Sequence, residues 1–314
     1  MSKSILILYD LPNEQLEELE EVASEYEIIH SIEDTAPENI EIILGWSDEV
    51  QPLIEEDESQ VKWIQYPYAG VNKLPLDLFE EKRITLTNGS GIHTYAVTES
   101  TIGLILGMTR NIIPAAKQKE DEEWVDQDNL YELYNKTMMI VGAGKIGAHL
   151  GQVAQGFGMK TIGINRSGDP IENMDNQYVQ EDLSDVINKA DVVVNILPAT
   201  EATHHLFNEE LFAEMKDDVI FVNVGRGETV DTDALIDALD NEKVLYAGLD
   251  VYEEEPLPEG HPLWSHDKVA MTPHIAGRVE NYPDHLYPLF KENLEAYLKD
   301  EDLPENVVEI SAGY

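Results

Sequence analysis

Cysteine is absent from this chain of 314 residues. A disulfide, a thiolate nucleophile and a thiolate-held metal are therefore excluded, and no metal site is predicted. Long apolar runs are also missing, since no stretch approaches the roughly 20 residues that a membrane-spanning helix needs. The opening segment MSKSILILYD has too short an apolar run for a secretory signal and shows no cleavage pattern. These absences predict a soluble protein of the cytoplasm.

Basic residues are scarce. The chain has 20 Lys and Arg against 63 Asp and Glu, which gives a formal net charge of −43. Such a surface repels nucleic acids and anionic membranes, so neither is expected as a partner. The acidic residues are spread along the chain, as in a solvated exterior. Two explanations stay open: an ordinary, highly soluble acidic protein, or adaptation to high cytoplasmic salt, where counterions screen the self-repulsion.

Among the features that are present, the most informative is a glycine turn between a strand and a helix. Residues 138–141 (MMIV) are typical of a short buried strand, and residues 142–147 (GAGKIG) follow directly. An apolar helix face is then indicated by spacings of three and four between Ile146, Leu150, Val153 and Phe157. This context is the one in which a G-x-G-x-x-G sequence predicts dinucleotide binding rather than an ordinary turn.

Each glycine of this turn has an expected role. Gly142 permits the tight turn, Gly144 lets a pyrophosphate approach the backbone, and Gly147 lets the helix pack on the strand. The helix N-terminus offers free N–H groups and a partial positive charge to the phosphates.

Strand-like and helical segments alternate on both sides of the turn. Short apolar segments at 4–9, 27–30, 41–44, 62–65 and 84–87 predict one parallel sheet, and segments at 161–165, 192–197, 219–224, 245–249 and 269–272 extend a second. Helices are predicted at 13–26, 98–111, 182–190 and 232–239 and from 282 onward. The last helix is expected to return to the first domain.

We therefore predict an α/β protein of two Rossmann-like domains with doubly wound parallel sheets. Residues 1–100 and 283–314 form a discontinuous, flavodoxin-like substrate domain, and residues 101–282 form the dinucleotide-binding domain. Residues 112–136 are too apolar for a linker and have no clear place in a sheet. An arm that packs on a second subunit is the preferred interpretation, and a plain surface helix is the alternative.

The end of the second strand of the dinucleotide fold distinguishes NAD from NADP. An acidic residue there binds the ribose 2′-hydroxyl of NAD, whereas a nearby Arg accommodates the 2′-phosphate of NADP. This chain has Asn165, Arg166 and Ser167 at that point. Arg166 can make charge-assisted contacts to a phosphate, and Ser167 can donate a hydrogen bond. NADP(H) is therefore the predicted cofactor and NAD(H) remains possible; the alternative is that Arg166 is an ordinary turn cation.

Reactive side chains follow several predicted strands, at the sheet edge where such folds bind ligands. These segments are 223–227 (NVGRG), 250–256 (DVYEEEP), 272–277 (TPHIAG) and 67–72 (PYAGVN). Taken alone, Arg226 could be a surface cation, the glutamates a solvated loop and His274 a satisfied interior histidine. An Arg, an acid and a His at successive strand ends favour a shared site.

These segments resemble those of the D-isomer-specific 2-hydroxyacid dehydrogenase family. The resemblance covers nearly the whole chain through YAGVNKLP, NGSGIHTYAVTE, VGAGKIG, LPATEATHHLF, VNVGRGETVD, LDVYEEEPLP and TPHIAG. It implies a substrate domain made of both chain ends, a Rossmann domain between them, an active site in the interdomain cleft and a homodimer. It also implies oxidoreductase activity on small 2-keto or 2-hydroxy acids.

The resemblance implies three catalytic roles. Arg226 binds the substrate's carboxylate and keto oxygen, as its two-point guanidinium allows. His274 is the acid-base that gives a proton to the keto oxygen, a task suited to imidazole, whose ordinary pKa is about 6.5. Glu255, the acid just before Pro256, orients the histidine. Glu253 and Glu254 compete with it by position alone.

Further roles follow from the same resemblance. The backbone N–H groups of Gly70 and Val71 would bind the carboxylate. Tyr66, Pro67 and Tyr68 depart from the family's pattern, and these bulky groups are expected to shape the substrate pocket. Asp250 would contact the nicotinamide carboxamide. The remaining cofactor contacts would come from Lys145, Ile146, Leu197, Pro198, Thr203, Val224, Gly225 and Gly277.

The main hypothesis is therefore NADPH-dependent, reversible reduction of a 2-keto acid to the D-2-hydroxy acid. The alternative is an NAD(P)-sensing binding protein of the same fold, like the family's corepressor relatives, and the intact set of Arg226, Glu255 and His274 argues against pure sensing. Formate oxidation is disfavoured, because that chemistry needs no proton donor backed by an acid.

Overall fold

The computed structural model describes residues 3–71, 73–126 and 130–310 and divides the chain into two compact units. The terminal unit contains residues 1–92 and 279–314, and the central unit contains residues 93–278. The structure thus divides at 92/93 and 278/279, whereas the boundaries expected above lie at 100/101 and 282/283. The His93 ring explains part of the difference, because its Nδ1 lies 2.6 Å from the carbonyl oxygen of Gly277 and joins both ends of the central unit.

The terminal unit is a parallel five-stranded sheet with helices. Its strands are β1 (Lys3–Ile7), β2 (Tyr26–Ile29), β3 (Ile40–Leu44), β4 (Trp63–Gln65) and β5 (Thr85–Thr87). Its helices are α1 (Asn13–Val22), α2 (Val50–Glu55), α3 (Leu76–Lys82) and α10 (Tyr282–Tyr297). The strand order is β2-β1-β3-β4-β5, the order of flavodoxin-like sheets. All its strand pairs are parallel.

Helix α10 completes the core of the terminal unit from the far end of the chain. Leu286, Phe290 and Leu294 are buried in one cluster with Ile5 and Trp63 of the sheet. The Trp63 ring stacks on the Phe290 ring with centroids 5.2 Å apart. The two chain ends are therefore parts of one folded unit.

The central unit is a parallel seven-stranded sheet with helices. Its strands are β6 (Thr137–Val141), β7 (Lys160–Asn165), β8 (Asn176–Val179), β9 (Val192–Asn195), β10 (Val219–Asn223), β11 (Val244–Leu249) and β12 (Val269–Met271). Its helices are α4 (Thr94–Thr109), α5 (Ile112–Glu120), α6 (Lys145–Gly156), α7 (Leu183–Val186), α8 (Glu209–Glu214) and α9 (Thr232–Asp240). The order β12-β11-β10-β9-β6-β7-β8 reverses direction between β6 and β9, where a Rossmann fold binds its dinucleotide. The predicted fold class of two α/β units with parallel sheets is confirmed.

Several local predictions differ from the structure. Helix α6 ends at Gly156, and Phe157 is 40% exposed instead of packing on the apolar face. Gly158, at φ +73°, leaves the helical conformation immediately afterwards. The helix predicted at 182–190 is short α7 flanked by 3₁₀ turns, and β8 and α8 were not predicted.

Asn72, at the end of the predicted carboxylate-binding segment, and residues 127–129 of the predicted arm lie outside the described residues. Within the described part of the chain, none of the helices has the length and apolar character needed to cross a membrane.

Candidate active site

The turn between β6 and α6 has the space that a dinucleotide requires. Gly142 has φ +90°, and a Cβ there would lie 2.9 Å from the carbonyl carbon of Ile196. At Gly147 a Cβ would lie 3.1 Å from Ala143 and Ile140, so this glycine permits close packing of helix on strand. Gly144 has no atom within 4 Å of its Cβ position, which leaves its backbone open to a ligand. The residues present therefore fit a pyrophosphate at the helix N-terminus.

The end of β7 forms a tight turn that presents Arg166. The Asn165 side chain shapes this turn, since its Oδ1 accepts from the Gly168 N–H at 2.7 Å and its Nδ2 donates to the Asp169 carbonyl at 2.8 Å. Arg166 and Ser167 are exposed at the tip. No carboxylate occupies the strand-end position where NAD-binding folds have one.

The loop that carries Arg226 rests on a buried polar network. Asn195 and Asn223 end the neighbouring strands β9 and β10, and the Nδ2 of Asn195 donates to Asn223 Oδ1 at 2.9 Å and to Thr229 Oγ1 at 2.6 Å. Asn223 Nδ2 and Thr229 Oγ1 both donate to the Arg226 carbonyl, at 3.1 and 2.6 Å. This network holds the Arg226 backbone and leaves the guanidinium exposed. Sequence reasoning missed it, although Asn at the ends of two adjacent apolar strands was a visible signal.

Asp250 organises the loop that carries His274. Its carboxylate is 1% exposed and accepts from the Thr272 hydroxyl at 2.6 Å and from the N–H groups of Ile275 and Ala276 at 2.8 and 2.9 Å. The His274 N–H donates to the Asp250 carbonyl at 2.8 Å. These bonds fix His274 in the left-handed region at φ +52°. The contact of Asp250 with a nicotinamide carboxamide stays a prediction beside this observed structural role.

The structure brings Glu255 and His274 together. Glu255 Oε2 lies 2.6 Å from His274 Nδ1, and Glu255 Oε1 accepts from the Tyr252 N–H at 3.0 Å. The His274 side chain is 47% exposed, so part of its ring is accessible to a ligand. Of the three competing glutamates, Glu255 is the one that contacts the histidine.

Backbone packing joins the Arg226 loop to the segment before Glu255. A Cβ at Gly227 would lie 1.9 Å from the carbonyl carbon and oxygen of Tyr252, an approach that only glycine permits. Tyr252 itself donates its hydroxyl to the carbonyls of Leu249 and Thr272, at 3.1 and 3.0 Å. Burial, together with the nearby Asp250 and Glu255, raises the pKa of Tyr252, so it stays a neutral donor. Arg226, Glu255 and His274 are thus carried by three segments that contact one another.

The remaining predicted cofactor residues differ in the exposure of their side chains. The Leu197 and Val224 side chains are buried, and Thr203 Oγ1 donates to the Pro198 carbonyl at 2.7 Å. A Cβ at Gly225 would lie 2.6 Å from the Leu197 carbonyl oxygen. Lys145 and Pro198 are exposed, and Ile146 and Gly277 are half-buried. Leu197, Thr203, Val224 and Gly225 thus chiefly shape the backbone at this edge.

In the terminal unit, the predicted substrate segment folds against the end of β5. A Cβ at Gly89 would lie 1.8 Å from the Pro67 carbonyl oxygen, and Asn88 Nδ2 donates to the Ala69 carbonyl at 2.9 Å. Tyr68 is 51% exposed, and its ring meets those of Tyr66 and Tyr282, with centroids 5.6 and 5.9 Å away. Gly70 is exposed and the Val71 side chain is buried. Among the described residues, no group of three or more His, Asp or Glu side chains is arranged to hold a metal.

Known proteins resemble the chain over nearly its whole length. Residues 102–276 match the family described as D-isomer specific 2-hydroxyacid dehydrogenase, NAD binding domain. Glyoxylate/hydroxypyruvate reductase B of Klebsiella pneumoniae is 33% identical over 288 residues, which are 88% of this chain and 88% of that protein. Glyoxylate reductase of Thermofilum pendens is 32% identical over 294 residues, which are 88% of this chain and 86% of that protein.

A solved structure gives the same result. The D-isomer specific 2-hydroxyacid dehydrogenase family protein from Aeromonas salmonicida aligns with a TM-score of 0.81 at 29% identity, covering 99% of this chain and 100% of that one. A nicotinamide cofactor fits both the matched domain and the open glycine turn. The chain therefore belongs to the D-isomer-specific 2-hydroxyacid dehydrogenase family and is an oxidoreductase.

Proposed function

We propose that this chain reduces a small 2-keto acid to the D-2-hydroxy acid with NADPH. The observation that carries the proposal is the bond of 2.6 Å between Glu255 and His274 beside the Arg226 loop. A carboxylate on Nδ1 fixes the ring orientation and leaves Nε2, the other ring nitrogen, to exchange a proton with the substrate. A pure sensor of NAD(P) has no need of that pairing.

The proposed reaction adds one hydride and one proton to the keto group. The reduced nicotinamide supplies the hydride to the carbonyl carbon when it is bound. His274 gives its Nε2 proton to the carbonyl oxygen, which becomes the hydroxyl, and the imidazole is left neutral. Arg226 binds the carboxylate and polarises the keto oxygen, and its charge persists at every working pH. In the reverse direction His274 takes the proton back.

The substrate assignment rests on the relatives and on the family resemblance. The relatives named above are glyoxylate and hydroxypyruvate reductases, which supports a small keto acid of that kind for this chain. We assign carboxylate binding to the N–H groups of Gly70 and Val71 and pocket shape to Tyr68. This part of the proposal rests on the resemblance of the YAGVN segment.

The preference for NADP over NAD is supported by the turn after β7. Asn165 uses its side chain within the turn, and Arg166 and Ser167 are exposed at its tip. A 2′-phosphate would find a cation and a hydroxyl there instead of a repelling carboxylate.

We also infer a homodimer that uses residues 112–136 as the arm. The described part of this segment exposes Ile112, Trp124 and Tyr134, and Trp124 is 99% exposed. A second copy of the chain is the proposed occupant. Light scattering should give twice the mass of the chain, and Trp124→Glu should shift the mass towards the monomer.

The deciding experiment is an assay of keto acids with NADPH and with NADH, at low and high salt. Glyoxylate, hydroxypyruvate, pyruvate and a branched-chain keto acid form the panel. His274→Ala should lower kcat by about a thousandfold, as expected for loss of a general acid. Glu254→Gln serves as the control, because Glu254 lies beside Glu255 and is exposed. Tight NADPH binding without turnover of any keto acid would instead favour the sensor.

A further inference from the structure

The segment that carries Glu255 holds a second carboxylate–imidazole pair. Glu253 Oε1 lies 2.5 Å from the Nε2 of His205, and Glu253 Oε2 accepts from the Thr232 N–H at 2.9 Å. Glu253 and Glu255 are two residues apart, and each contacts a different histidine. The mechanism proposed above leaves the Glu253/His205 pair unused.

The pair joins three segments of the central unit. The His205 N–H donates to the Glu228 carbonyl at 2.9 Å, two residues after Arg226. The bond from the Thr232 N–H to Glu253 fixes the start of α9 on the same carboxylate. Gly227, the residue before Glu228, packs its backbone on the same segment, since a Cβ there would lie 1.9 Å from the Tyr252 carbonyl and 2.5 Å from the Glu253 nitrogen. The Glu253/His205 pair therefore holds the Arg226 loop against the backbone of Tyr252.

The surroundings keep the pair together. Burial works against ionisation of Glu253, but its hydrogen bonds with Thr232 and His205 outweigh that effect and lower the pKa of the carboxyl. Asp231 Oδ2 lies 4.0 Å from His205 Nδ1, and the His204 ring stacks on the His205 ring at 4.1 Å. Glu228, whose carbonyl accepts from the His205 N–H, is a second charged residue on the Arg226 loop. An ionised Glu253 can hold either the neutral N–H or the charged form of the His205 ring.

We propose that Glu253 and His205 are positioning residues for the proton donor. They hold the backbone of Tyr252, whose N–H is bonded to Glu255 Oε1, and so keep the other oxygen of Glu255 on His274. This inference rests on the proposed function, because it matters for turnover only if Glu255 and His274 act as described.

The test compares alanine variants of adjacent glutamates. Glu253→Ala should lower kcat for keto-acid reduction by about tenfold, because a small misplacement of a catalytic group is costly, whereas Glu254→Ala should change it less than twofold. Glu253→Gln should recover most of the rate, since an amide can still meet Thr232 and His205.

Variants of the histidine test the hydrogen bond itself. His205→Phe keeps a ring beside His204 but loses the donor, whereas His205→Gln keeps an N–H near the position of Nε2. Both share the backbone conformation at φ +48°, so its cost cancels in the comparison. We expect the Gln variant to be several-fold faster than the Phe variant.

A double-mutant cycle separates positioning from general stability. If Glu253 acts through Glu255, then Glu253→Ala should have no further effect on kcat in the Glu255→Gln background. Additive effects on kcat, or a lowered Tm with an unchanged kcat, would overturn the inference. So would a Glu253→Ala enzyme as fast as Glu254→Ala while Glu255→Gln is slow. Full activity of Glu255→Gln and His274→Ala would overturn the proposed function instead.

Discussion

The position of His274 is set by hydrogen bonds of the surrounding backbone as well as by the contact of its side chain with Glu255. The carboxylate of Asp250 gathers three donors from residues 272–276, and His274 adopts φ +52° among them. A non-glycine residue in this region is uncommon and is held there by its surroundings. The motifs were enough to identify His274 and Glu255 in the sequence. The structural role of Asp250 depends on hydrogen bonds to residues 22 to 26 positions away, which no local sequence pattern predicts.

The cofactor preference is testable at a single residue. Arg166→Ala should raise the KM for NADPH by roughly tenfold or more and leave the KM for NADH within twofold, because a hydrogen bond to a charged group contributes about 1.5–3 kcal/mol. Steady-state kinetics with both cofactors measures the ratio. Lys160→Ala is the matched control, since it removes an exposed cation from the opposite end of β7. Equal losses with NADH and NADPH would contradict the assignment.

The glycine turn and helix α6 act as one element. Periodicity correctly predicted that a strand, the turn and a helix follow one another from 138, and it put Leu150 in the core. It failed at Phe157, because the spacing of apolar residues continues past a helix that Gly156 and Gly158 bring to an end. The buried network of Asn195, Asn223 and Thr229 was missed for another reason: an Asn is visible near the end of each strand, but their hydrogen bonds depend on which strands are neighbours in the sheet.

Two glycine substitutions, one in the turn before α6 and one at the end of α6, should affect different properties: cofactor binding and stability. Gly144→Ala should abolish NADPH binding while Tm changes little, because the added Cβ meets no atom of the protein within 4 Å and occupies the space reserved for the pyrophosphate. The Cβ added by Gly156→Ala also has no protein atom within 4 Å, but Gly156 lies at the other end of the helix. This substitution should stabilise the fold by about 0.5–1 kcal/mol. Fluorescence titration with NADPH and thermal unfolding measure the two effects. Unimpaired NADPH binding by Gly144→Ala would place the cofactor elsewhere.

At the scale of the molecule, one buried carboxylate joins distant parts of the terminal unit. The Glu41 side chain is 6% exposed and accepts from the hydroxyls of Tyr26 and Tyr297 at 2.7 and 3.0 Å. It also accepts from the ammonium groups of Lys3 and Lys62 at 3.1 and 3.3 Å. These donors come from both chain ends, which is why the sequence alone predicted only a strand at 41–44. Burial opposes ionisation, but the hydrogen bonds from Tyr26, Lys3 and Tyr297 prevail and lower the pKa of Glu41.

Glu41 should therefore contribute to stability in a pH-dependent way. A lowered pKa in the folded state means that the contribution is complete above the ordinary carboxyl value of 4.5 and is lost as the pH falls below it. Glu41→Gln should cost about 2 kcal/mol of unfolding free energy at pH 7, and the difference from the natural protein should shrink towards pH 3. Urea unfolding across this range measures it, with the exposed Glu38→Gln as control. A constant difference at all pH values would refute the account.

The net charge of −43 leads to a prediction for the whole chain. Repulsion between exposed carboxylates is screened within about 10 Å at 0.1 M salt and about 3 Å at 1 M. We expect Tm and keto-acid turnover to rise together between 0.1 and 2 M KCl. A Tm that stays flat or falls over this range would favour the ordinary acidic protein over adaptation to salt.

The return of α10 to the first sheet has a consequence for synthesis. When the ribosome has made the first 92 residues, Trp63 still lacks the rings of Phe290 and Tyr297, and Glu41 lacks the Tyr297 hydroxyl. The central unit is continuous in sequence and can fold while the chain is still emerging. The amino-terminal segment is translated first, but the core of its unit is complete only after α10 has been synthesised. We therefore expect the central unit to fold before the terminal unit.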